Sequence, residues 1–293
     1  MTPKSLQRLY EDHVGKVSDK WSIYLVEYDR AFRDYRDEAI SLLEIGVQNG
    51  GSLEIWSTYF PNARAFVGCD INPDCAKLVF DDPRISVVVG DANSDSAAAA
   101  MLARAPTFDI VIDDGSHRSG DIERSFARYF PRLNDGGIFV AEDIHCSYWK
   151  EFDGGLFDPF SSIAFFKQLA DIISHEHWGV EKPATELIRG FFEKYEFEMT
   201  EEDLARVHSV EFVNSMCFVR KEKPERNTLG TRFIAGSAEG VMPGHRPLHS
   251  SRNYPLDQSG NELASLTPRT DRIKAFVRRG VNGVKRRASQ WLS

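Results

Sequence analysis

Two short runs hold most of the residues able to do chemistry. In IDDGSH, Asp113 and Asp114 precede His117; in AEDIH, Glu142 and Asp143 precede His145. Carboxylates gathered this closely repel one another unless something positive sits among them. Oxygen donors with no thiol beside them select a hard divalent cation, Mg2+ before the softer metals. His117 follows its two acids across a turn eased by Gly115. Imidazole gains and loses a proton near neutral pH, which makes His117 the candidate general base and His145 an alternative. An alcohol is a poor nucleophile until its proton leaves, and a positioned base is worth ~10²–10⁴-fold in rate. The plainer reading of these acids is a set of solvated helix caps, a role Asp fills readily.

A second constellation lies upstream. LLEIGVQNGGS gives Glu44-x-Gly46-x-x-x-Gly50, with Gly51 and Ser52 opening a helix. Glycines there let the backbone turn tightly and approach a ligand. Gln48 stands where a dinucleotide loop needs glycine, and no Gly-Lys-Ser/Thr follows, so neither an NAD loop nor a nucleoside-triphosphate loop is present. Asp70, followed by Ile71, ends the next apolar run and can accept from both ribose hydroxyls of a nucleoside. Asp91 ends the run after that, within reach of an adenine amino group, and Asp113 closes the fourth. Acids at successive strand ends beside a glycine loop suit an adenosine without a pyrophosphate. That combination resembles the class I S-adenosylmethionine methyltransferases. The expected cofactor residues are Glu44, Gly46, Gly50, Ser52, Asp70, Ile71, Asp91 and Asp113.

These side chains need a scaffold that brings strand ends together. SLLEIGV, ARAFVGCDI, RISVVVGD, TFDIVIDDGSH and GGIFVAEDIH are near-continuous apolar runs of strand length. Such runs fit strands buried on both faces. Helix-compatible stretches at 52–60 and 120–133 lie between them, so the expected class is α/β, a doubly wound and mostly parallel sheet of Rossmann-like type. Residues 1–40 predict one or two helices ahead of it, and FSSIAFFKQLADIISHE an amphipathic helix behind it. HSVEFVNSMCFVRKE predicts two strands around a turn at Asn214–Ser215, completing an antiparallel edge. The expected division is a helical segment over 1–40, the catalytic domain over 41–221, an irregular tail over 222–268 and a basic amphipathic helix over 269–293.

Composition narrows the partners. The 293 residues are 42% hydrophobic and carry a net charge of −8, which argues against broad nucleic-acid binding. No apolar run approaches the ~20 residues needed to cross a bilayer, and no export signal is read at the amino terminus. Cys69, Cys75, Cys146 and Cys217 are scattered, as reduced thiols of a cytoplasmic protein would be. The segment 269–293 concentrates Lys and Arg, and Phe276 and Trp291 fall near one helical stripe. It could lie on the inner membrane face, dock on the chain's own acidic surface, or join a second copy.

LLEIGVQNGGSLEIWSTYFPNA, VGCDI, FDIVIDDGSH, DGGIFVAEDIHCSYW and the upstream SDKWSIYLVEY resemble the sugar O-methyltransferases of the mycinamicin and macrocin type, over roughly residues 15–150. The resemblance implies metal-dependent methyl transfer from S-adenosylmethionine to a sugar hydroxyl; membrane contact by 269–293 would suit a lipid-linked glycan acceptor. It implies Asp114, Glu142 and Asp143 as ligands of Mg2+ and His117 as the base. Three alternatives stand beside it. A phenol or other small metabolite could be the acceptor, or the chain could be a non-catalytic adenosyl-binding scaffold. A non-haem iron oxygenase would need two histidines and a carboxylate, and would leave the acids at the strand ends unexplained.

Overall fold

The computed structural model describes residues 4–261; the expected helix over 269–293 lies outside them. Strands β1 (Ser41–Ile45), β2 (Ala65–Asp70), β3 (Ile85–Val89), β4 (Phe108–Asp113) and β5 (Leu133–Ala141) are all parallel. The antiparallel hairpin of β6 (Val207–Val213) and β7 (Met216–Lys221) turns at residues 214–215, and β7 pairs with β5. The order across the seven strands is β3-β2-β1-β4-β5-β7-β6. The chain reverses direction of travel between β1 and β4, and ligands of open α/β sheets bind beyond the carboxyl ends at that point.

Alternation along each strand divides the core. Leu42, Ile110, Ile112, Ile138 and Val140 face one layer; Leu43, Val111, Phe139 and Ala141 face the other. Helices α1 (Leu6–Asp12), α2 (Ser22–Ala31) and α3 (Gly51–Tyr59) supply the first layer. Tyr28, Phe32, Trp56 and Phe60 interlock there at ring-centroid distances of 4.9–6.0 Å. Such pairs contribute roughly 0.5–1.5 kcal/mol each beyond area burial. Helices α4 (Asp95–Arg104), α5 (Ser119–Tyr129) and α6 (Ser162–Ile173) cover the opposite face, joined by α7 (Thr185–Tyr195) and α8 (Glu201–Ala205).

The five expected parallel strands and the hairpin are found, as is the amphipathic helix at Ser162–Ile173. Residues 222–261 carry two short 3-10 turns and one isolated bridge, Thr231 to Arg252. All four cysteines are free and buried. Among the described residues no helix is long and apolar enough to cross a membrane.

Candidate active site

Strand register builds the site. Ile45 pairs with Asp113 and Asp113 with Ala141, so the residues following β1, β4 and β5 emerge side by side. The Asp114 N–H donates to Ile45 O and the Glu142 N–H to Asp113 O, both at 2.9 Å, extending the ladder into the rim. Above the rim opens a cleft of about 470 Å³.

The glycine loop forms one end. Gly46 has φ +92°, and a Cβ there would stand 2.0 Å from Asp114 O. No other residue lets the loop lie this close to the turn after β4. Asp70 Oδ2 accepts from the Val47 and Gln48 N–H groups at 2.8 Å each, pinning the loop while facing the cleft. Ser52, Asp91 and exposed Ile71 also line it. Asp113 lines the centre; its Oδ2 is buried with no partner among the described residues, and burial pushes the carboxyl up to about 6. Glu44 and Gly50 stand behind the wall instead. Glu44 is fully buried and accepts from Ser52 Oγ at 2.7 Å and Trp56 Nε1 at 3.3 Å, which fixes the start of α3. Gly50 turns the chain into α3 with φ +84°.

The acidic end is more crowded. His117 Nε2 lies 3.6 Å from Asp143 Oδ2 and 4.0 Å from Asp114 Oδ1. His117 Nδ1 is buried without a partner among the described residues. His117 and Asp143 hold left-handed backbone, φ +56° and +51°, a strained state that clusters at functional sites. Asp143 Oδ1 is fixed by the Tyr24 hydroxyl at 2.5 Å and Trp21 Nε1 at 3.1 Å, which leaves Oδ2 toward His117. His145 turns away from the cleft, its Nδ1 hydrogen-bonded to Ser215 Oγ.

Composition and spacing did not point to Lys20, Trp21, Tyr24 and Tyr28, which cross over from the amino-terminal segment. Lys20 Nζ bonds Asp114 Oδ2 and lies 2.6 Å from Glu142 Oε1; the Tyr28 hydroxyl donates to the same Glu142 oxygen. Burial disfavours the ammonium, but the carboxylates of Glu142, Asp114 and Glu44 outweigh it and hold Lys20 well above its usual range. The sequence signals were a lysine in front of aromatics at helical spacing and the SDKWSIYLVEY run in the family resemblance, neither of which assigned these residues a role.

Burial pushes Glu142 up to about 8 and raises Glu44, yet Asp114 and Asp143 against the one Lys20 ammonium still leave the cluster acidic, which favours a cation. Asp114, His117 and Asp143 each offer one ligand atom, all within 4.8 Å of one another, and the oxygen-rich set fits a hard ion. The unpartnered Asp113 Oδ2, buried in the cleft beside the glycine loop, fits a ligand there.

Topology and cleft together define a Rossmann-like methyltransferase fold, and residues 43–144 match the family model described as a methyltransferase domain. The solved MycE methyltransferase from the mycinamycin biosynthetic pathway, in complex with Mg, SAH and mycinamycin VI, is similar at a TM-score of 0.62. The likeness has 26% identity and covers 84% of this chain and 59% of that one. The 8-demethyl-8-alpha-L-rhamnosyl tetracenomycin-C 2'-O-methyltransferase of Streptomyces olivaceus is 41% identical over 55% of this chain and 44% of its own length. The mycinamicin VI 2''-O-methyltransferase of Micromonospora griseorubida is 40% identical over 51% of this chain and 39% of its own. Residues 43–144 thus resemble a methyltransferase domain, the likeness extends to sugar O-methyltransferases, and the chain spans less than half the length of these curated relatives.

Proposed function

We propose that this protein transfers a methyl group from S-adenosylmethionine to a hydroxyl of a sugar or glycan-type acceptor, with Mg2+ at the acidic rim. Residues 41–221 form the catalytic unit, residues 17–24 close its cleft, and none of the described residues 222–261 lines it. The observation that carries the reading is the convergence of His117 Nε2, Asp114 and Asp143 in the cleft that Gly46 and Asp113 also line. The named activities of the relatives support a glycosylated acceptor.

Gly46, Asp70, Ser52, Ile71, Asp91 and Asp113 would hold the nucleoside end of the methyl donor. Asp114 and Asp143, with Glu142 beside them, would hold the cation. When bound, the cation lowers the pKa of a coordinated acceptor hydroxyl. His117 Nε2 takes the hydroxyl proton, the O–CH3 bond forms, and the S–CH3 bond breaks with its electron pair returning to sulfur. Charge is annihilated in this step, so orienting the two partners matters more than an oxyanion hole. The fixed Oδ1 of Asp143 and the strained turn of His117 supply that orientation.

The test is a mass-spectrometric screen with isotope-labelled methyl donor over glycosides, free sugars and catechols, run with Mg2+ and with chelator. Label on a sugar oxygen, lost with chelator, is the expected result. Label on catechols alone would move the acceptor to phenols. Calorimetry that detects no binding of the donor or its demethylated product to folded protein would end the reading.

A further inference from the structure

Between the two ends of the cleft runs a strap, residues 16–24, tied at both sides. Lys16 Nζ pairs with Glu54 on α3 at 2.6 Å, and the Gly51 N–H donates to Val17 O at 3.2 Å. Beyond it, Trp21 and Tyr24 hold Asp143. Lys20 lies in the middle, its side chain 2% exposed. Its ammonium reaches three acids from three strand ends: Asp114 after β4, Glu142 after β5 at 2.6 Å, and Glu44 on β1 at 4.0 Å.

We infer that Lys20 is the positioning residue of the acidic rim: by holding Asp114 Oδ2 and Glu142 Oε1, it turns Asp114 Oδ1 toward the space it shares with Asp143 Oδ2, where a divalent cation would bind with the His117 base beside it. The inference rests on the proposed methyl-transfer reading and gives it a part that neither the motifs nor the relatives assign. Each aspartate of the rim then has one oxygen fixed by the strap, Asp143 through Tyr24 and Trp21 and Asp114 through Lys20, and the other presented. Glu44 also receives Ser52 from the helix behind the glycine loop, so the same ammonium links the cation end to the methyl-donor end. Ligand-orienting partners of this kind, when removed, typically cost about 10–100-fold in metal affinity.

The experiment measures Mn2+ binding by electron paramagnetic resonance, and binding of the demethylated donor S-adenosylhomocysteine by calorimetry, in wild type, Lys20→Ala and Lys20→Gln. Circular dichroism confirms folding, and Lys20→Gln keeps most of the side chain and a neutral hydrogen-bond donor, one bond shorter, should the alanine variant fail to fold. Both variants are expected to bind Mn2+ about 10–100-fold more weakly than wild type. Added ethylammonium, which fits the vacated space as a free cation, is expected to restore affinity in Lys20→Ala and leave wild type unchanged. Mn2+ affinity equal to or above wild type in the variants overturns the inference, because Lys20 would then be a mere placeholder. A loss that ethylammonium does not restore overturns it as well, since that marks general structural damage. Wild type that binds neither Mn2+ nor S-adenosylhomocysteine sinks the methyl-transfer reading itself, a result distinct from both.

Discussion

His117 and Asp143 face each other across 3.6 Å, Nε2 to Oδ2, each from a residue in left-handed backbone just past adjacent strands. Non-glycine residues held this way cost of order 1–3 kcal/mol apiece and persist where the surroundings over-determine them. Here the surroundings are the β4–β5 register and the Tyr24 and Trp21 contacts. The fold spends stability to aim one imidazole and one carboxylate at the same point.

Replacing His117 tests the base. Asparagine tolerates left-handed backbone better than alanine does, so His117→Asn separates loss of the imidazole from loss of the turn. Turnover should fall about 10²–10⁴-fold while donor binding by calorimetry holds. Turnover at the wild-type rate would remove His117 from the mechanism.

Metal removal should dissociate catalysis from cofactor binding. The cation ligands follow β4 and β5, whereas the donor-side residues Asp70, Ile71 and Asp91 end or follow β2 and β3. Chelator is expected to reduce turnover to background and leave S-adenosylhomocysteine affinity within a few-fold of its starting value; added Mg2+ or Mn2+ should restore the rate. Full activity in chelator would assign the acidic rim to acceptor binding alone.

Much of this site was legible because the parallel strands are mostly apolar and then turn acidic or glycine-rich at their carboxyl ends. The runs ending at Asp70, Asp91, Asp113 and Glu142 mark the carboxyl edge without knowledge of the pairing. Lys20 was not legible, because its partners Asp114 and Glu142 are 94 and 122 residues away and only the folded sheet brings them to it. The segment 187–207 was opaque for a local reason. Helix α7 ends at Glu196 with φ +56°, where a glycine would have signalled the stop, and α8 starts from a Thr200–Asp203 capping box one short turn later. The alanine-rich α4 is apolar nearly all round, so its sequence does not single out Ala97, Ala98 and Met101 as the face that packs in the core.

Glu123 predicts a pH signature away from the site. It is fully buried on α5, neither carboxyl oxygen has a partner among the described residues, and burial holds it well above the usual carboxylate range. An acid raised on folding favours the folded state fully below its unfolded pKa and loses that contribution as pH climbs toward the folded one. Over that window stability declines by up to ~1.4 kcal/mol per pH unit. Glu123→Gln stays neutral at every pH, so its stability advantage over wild type should grow between pH 5 and pH 7 in urea unfolding. An unchanged difference at the two pH values would mean that Glu123 finds a partner in solution.

Gly46 and Gly136 separate backbone conformation from close approach. Both have positive φ, +92° and +83°, but a Cβ at Gly136 meets nothing within 4 Å while one at Gly46 stands 2.0 Å from Asp114 O. Gly136→Ala should therefore cost only the conformational penalty, roughly 1–2 kcal/mol. Gly46→Ala adds a clash with a backbone carbonyl that itself accompanies a ladder bond to Ile45, and no rotamer can relieve it. The loop must lift away from the turn after β4, for a total of about 3 kcal/mol or more. Lifting it also moves the Val47 and Gln48 N–H groups off Asp70, so S-adenosylhomocysteine affinity should fall together with stability. Denaturant unfolding and calorimetry on the two variants decide the matter. If Gly46→Ala proves as stable as Gly136→Ala and binds as tightly as wild type, the contact between loop and rim is not what shapes the cleft.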